Sequence, residues 1–67
     1  MFLGDLKDGG LFYIDNDTIK KWQLIYKNVD VVKILDELIL KGNFKNLSKR
    51  SALKLINKTL KEQNEKL

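Results

Sequence analysis

The stretch Asp30-Val31-Val32-Lys33-Ile34-Leu35-Asp36-Glu37-Leu38-Ile39-Leu40-Lys41-Gly42 decides how this chain folds. Val31, Leu35 and Leu38 recur at spacings of four and three, with Val32 and Ile39 alongside. That period puts apolar side chains along one stripe of an α-helix. Asp30, or Asn28 ahead of it, can accept from the free N–H groups of the first turn. Gly42 follows the last periodic residue, where a helix commonly ends in left-handed backbone.

Toward the N-terminus, Lys27-Asn28 breaks an earlier helix expected over about Thr18 to Tyr26, with Ile19, Trp22 and Tyr26 on one face. Asn16, Asp17 and Thr18 are three candidate caps for it. Before them, Leu11-Phe12-Tyr13-Ile14 has the aromatic and β-branched character of a short strand. Its local partner would be Met1 to Leu6, folded back around a turn at Asp8-Gly9-Gly10.

Toward the C-terminus, Phe44 anchors the connection after Gly42, and Ser48 or Ser51 starts a third helix running to Lys61 or beyond. Its apolar face is Ala52, Leu53, Ile56 and Leu60. The expectation is one mostly α, compact three-helix domain with a short N-terminal strand or hairpin over 1–15, a helical core over 17–62 and a frayed tail over 63–67. Trp22, Tyr26, Val31, Leu35, Leu38, Leu53, Ile56 and Leu60 are the expected core.

Composition narrows what such a domain can do. The chain has 67 residues, with neither Cys nor His. Disulfides and ordinary zinc ligation, the usual supports of very small domains, are therefore excluded. A partner, or a second copy, is another way to gain stability. At 43% hydrophobic and 33% charged the sequence belongs to folded soluble domains. No apolar run is long enough to span a bilayer, and the first residues lack a signal-peptide pattern, so a cytoplasmic location without membrane contact is expected.

Catalysis is not expected. Adjacent Asp36 and Glu37 point in different directions on a helix, while Asp8, Asp15 and Asp17 lie in turn-like segments. Asp8-Gly9-Gly10 lacks the spacing and the Lys-Ser/Thr of a phosphate cradle. No cofactor is implied.

Charge is distributed unevenly. Residues 1–40 carry five Lys against seven carboxylates, a net of −2. Residues 41–67 carry eight cations against two carboxylates, a net of +6. On a 3.6-residue period Arg50, Lys54, Lys58 and Lys61 fall within one stripe, and Lys45 and Lys49 extend the charge into the preceding connection. Such a row can follow a phosphate backbone, or it can simply be the solvated face of a helix. Phe2, Leu3, Phe12 and Tyr13 flank the glycine turn, and rings left exposed there could seat in a protein partner or stack on a nucleobase.

Trp22-x-x-x-Tyr26, Val29-Asp30-Val31, Leu35, Lys49-Arg50 and Ile56-Asn57-x-x-Leu60 together resemble a small C-terminal module of phage and mobile-element DNA replication proteins, across about residues 12 to 60. The chain departs from that pattern at Lys27, where the module has Pro, and at Ile39, near where it has Trp. The interval from Lys49-Arg50 to Ile56 is also shorter by about one helical turn. The resemblance implies a non-catalytic accessory protein of DNA replication. It would bind single-stranded or primer–template DNA through Lys45, Lys49, Arg50, Lys54, Lys58 and Lys61. Docking to a polymerase, primase or helicase would use Phe2, Leu3, Phe12 and Tyr13. A pure protein-interaction adaptor or inhibitor is the alternative. A sequence-reading helix-turn-helix is disfavoured, because the third helix offers few Asn, Gln or Arg side chains at its start.

Overall fold

The structure is a computed structural model that describes residues 1–66. Two strands, β1 (Phe2–Asp5) and β2 (Leu11–Tyr13), precede three helices, α1 (Asn16–Ile25), α2 (Val31–Lys41) and α3 (Lys49–Glu65). A 3-10 turn over Asn43–Asn46 joins α2 to α3. The mostly helical domain with an N-terminal hairpin is as the sequence predicts.

Each helix starts at a side-chain cap. Asp15 accepts from the Thr18 N–H at 3.1 Å, Asp30 from the Lys33 N–H at 3.3 Å, and Ser48 from the Ser51 N–H at 3.2 Å. The last two are among the expected caps. For α1 the cap lies one residue earlier than any of the three candidates, because Asp15 is the residue with extended backbone and Asn16 to Thr18 already form the first turn. Gly42 ends α2 at φ 67°, in the left-handed region, and its N–H donates to the Ile39 carbonyl at 3.0 Å.

The strands pair antiparallel, Phe2 with Tyr13, Gly4 with Phe12 and Asp5 with Leu11. Between the first two pairs β1 advances two residues while β2 advances one, so Leu3 is the extra residue of a bulge. Gly4, at φ 110°, supplies the backbone the bulge needs. The consequence is a sharp division of faces. Leu3 and Phe12 turn inward, whereas Phe2, Leu11 and Tyr13 turn out.

One apolar core joins all the elements, from Leu3, Phe12 and Ile14 through Trp22, Val31 and Leu35 to Phe44, Ile56 and Leu60. Six of the eight expected core residues are buried there, and Phe44 anchors its connection as expected. Tyr26 and Leu53 are only partly buried and pack on the margin. On α2, Ile34 is buried while Val32 is exposed. Ile34 stands three residues after Val31 and four before Leu38, so the stripe leans to that side.

At the C-terminal end α3 continues to Glu65, into the stretch expected as a tail, and Asn64 Oδ1 accepts from the Asn28 N–H at 3.2 Å. That bond ties the end of α3 to the α1–α2 connection, a tertiary contact invisible in local sequence. The remainder of the expected tail is Lys66, which the structure describes as a turn, and Leu67, which lies outside the described residues.

Candidate nucleic-acid interface

Helix α3 presents two unlike flanks. Ala52, Ile56 and Leu60 are completely buried against the core. Arg50, Lys54, Lys58 and Lys61 fall on the opposite side of a 3.6-residue helix, and all four are exposed. No Asp or Glu occurs between Lys49 and Lys61, so this flank is cationic over about three helical turns. Charges on such a surface are solvated and act on a partner through their summed field.

Lys45 and Lys49 do not join that flank. Lys45 shares a hollow of 210 Å³ with Phe2, Leu3 and Asp5, where the 3-10 turn meets β1. Lys49 lines a hollow of 420 Å³ with Tyr13, Asp15 and Leu53, between the start of α3 and the hairpin. Both cations are exposed, but each has a carboxylate in the same hollow, so the local charge is close to balanced. The six basic residues therefore divide into a stripe of four and a flanking pair beside the hairpin.

The hairpin residues divide as well. Phe2 is 53% exposed and Tyr13 65%, and the two are direct cross-strand partners on the outward face. Leu11 continues that face at 71% exposure. Leu3 and Phe12, expected at a docking surface, are instead core residues, at 2% and 0% exposure. The bulge sends Leu3 inward, and Phe12 meets the Phe44 ring edge-on, so neither is free to touch a partner. Leu11 was missed, although strict alternation along Leu11-Phe12-Tyr13 places it on the same side as Tyr13.

A further hollow, of 450 Å³, lies along α3 where it faces the connection from α2. Leu47 and Leu55, both partly buried, form its apolar floor, and Asn43, Ser51, Lys54 and Lys58 complete the lining. No acidic residue lines it. The sequence signal for this groove is faint, because Leu55 stands off the main apolar stripe of α3.

Asp15 has its acidity raised by its capping role. Hydrogen bonds from the Thr18 side chain and backbone N–H favour the carboxylate and hold its pKa below the ordinary value. Among the described residues no group of three or more metal-ligating side chains stands together. None of the described helices is long and apolar enough to cross a membrane. No family model matches this chain, and the searches of curated proteins and of solved structures find no match to it either.

Proposed function

We propose that this chain is a non-catalytic accessory protein of DNA replication in a phage or mobile element, binding single-stranded or primer–template DNA through the outer flank of α3. The observation that carries the proposal is the run of exposed Arg50, Lys54, Lys58 and Lys61, uninterrupted by any acid, opposite the buried face of the helix. Lysines on successive turns of one helix flank can neutralise successive phosphates and release their counterions. They read charge and not base edges, so binding is expected to be indifferent to sequence.

The replication setting comes from the resemblance of Trp22-x-x-x-Tyr26 and Val29-Asp30-Val31 to the replication module. Within that setting, Phe2, Leu11 and Tyr13 form the surface that docks on a polymerase, primase or helicase, since aromatic side chains are enriched at interfaces and Leu11 extends the apolar area beside the two rings. Asp30, prominent in the motif, caps α2. The test is the salt dependence of binding to a labelled single strand, before and after neutralising Arg50, Lys54 and Lys58.

A further inference from the structure

We propose that the groove between α3 and its preceding connection takes an acidic peptide bearing an apolar anchor, and that this peptide competes with nucleic acid for Lys54 and Lys58. The second half rests on the DNA-binding reading above; the first half does not.

A phosphate-binding flank needs cations but no apolar floor, and this one has both. Leu47 and Leu55 line 450 Å³ of open hollow beside Lys54 and Lys58. The hollow is shallow and open, a shape that suits a peptide lying along the surface and not an enclosed small molecule. Three other hollows among the described residues each contain a carboxylate: Asp5 in one, Asp15 in the second, Asp30 and Glu37 in the third. In the α3 groove no lining residue repels an anion, and two attract one.

The occupant that satisfies both features has one or two large apolar side chains for Leu47 and Leu55, with Asp or Glu on either side to meet the two ammonium groups. A basic or neutral peptide would offer Lys54 and Lys58 no counter-charge, and a nucleic acid strand held by its phosphates alone would leave the leucines uncovered. Lys54 and Lys58 are reached by both ligands, so occupancy is mutually exclusive. An acidic segment on the partner enzyme could thereby release DNA from this protein at hand-over.

The experiment uses the whole chain and three labelled probes read by fluorescence anisotropy. They are a single-stranded oligonucleotide, an acidic peptide of eight to ten residues around a central Leu-Phe pair, and a polyglutamate of equal charge. The apolar acidic peptide should bind at least about tenfold tighter than polyglutamate, the gain expected from covering one apolar side chain. It should also displace the oligonucleotide. Leu55→Gln, which keeps every cation, should remove the difference between the two peptides and leave oligonucleotide affinity unchanged. Equal binding of the two peptides by the unaltered protein overturns the groove proposal without any reliance on the variant. Peptide binding without displacement of a bound oligonucleotide overturns the competition. Absence of oligonucleotide binding with intact peptide binding overturns the DNA reading and leaves the groove.

Discussion

Phe12 of β2 and Phe44 of the 3-10 turn meet edge-to-face, with ring centroids 5.2 Å apart and planes at 73°. Both side chains are buried, and the contact fastens the hairpin to the connection between α2 and α3. The Lys7 N–H, donating to the Leu47 carbonyl at 3.0 Å, makes a second tie between the same two segments. Through them the hairpin is held against the element that begins α3, so the outward rings and the cationic helix keep a fixed relationship.

Phe44→Ala should destabilise the domain by roughly 3–5 kcal/mol, the cost of truncating a buried aromatic ring. A two-state domain of this length has only about 3–10 kcal/mol in total. Urea unfolding should therefore show a large fall in midpoint or a protein already unfolded in buffer. Phe44→Leu, which keeps most of the volume, should recover most of the loss.

Leu35→Ala tests the centre of the core. Leu35 is fully buried on the stripe of α2, and its truncation should cost roughly 2–5 kcal/mol. Val32→Ala, one turn away on the exposed side, should change the unfolding midpoint little, by about 0.5 kcal/mol or less. Similar losses for the two would contradict the placement of the α2 stripe.

The Asp15 cap makes a pH-dependent contribution. Its pKa is lower in the folded state, so the unfolded chain binds the proton more readily. The stability gained from the cap is fully present above the unfolded pKa and is lost as pH falls through the folded one. Asp15→Asn keeps a capping oxygen and removes the titration. Thermal midpoints of the parent and this variant should differ in favour of the parent above the unfolded carboxylate pKa of about 4, where the side chain is charged, and the difference should shrink as pH falls below it. A constant difference across that range would contradict the assignment.

The helices were legible because their signals are local. Asp30, Gly42 and Ser48 each act on residues within four positions, and Val31, Leu35 and Leu38 report one stripe by spacing alone. The cationic stripe followed from the same periodicity. The hairpin was legible as an element but not in its faces. Its inside and outside depend on a one-residue bulge at Leu3 and on the Phe44 ring thirty-two positions away from Phe12. The separation of Lys45 and Lys49 from the other cations arises where the hairpin packs beside α3 and the 3-10 turn, which spacing along one helix does not report. Leu47 and Leu55 become a groove only because the connection runs back along α3.

Phe2→Ser with Tyr13→Ser should separate docking from folding. Both residues are exposed, so the double variant should keep helix content and lose no more than about 1 kcal/mol of stability, cross-strand pairing included. Under the proposed replication role, capture of a polymerase, primase or helicase by the protein should fall sharply, while binding to an isolated single strand should persist. Retained capture would remove the hairpin face from the docking assignment.

The central claim is that the outer flank of α3 holds a nucleic acid backbone, and the salt dependence of that binding tests it most directly. Anisotropy of a labelled single strand, measured across a range of salt concentrations, should give a straight log–log line falling steeply with salt. Replacing Arg50, Lys54 and Lys58 with Gln should make that slope shallower by roughly 2, at about 0.7 for each phosphate no longer contacted. Circular dichroism should remain unchanged, because all three side chains are exposed. A triple variant with the affinity and slope of the parent, or a parent that binds no strand at low salt, would contradict the claim.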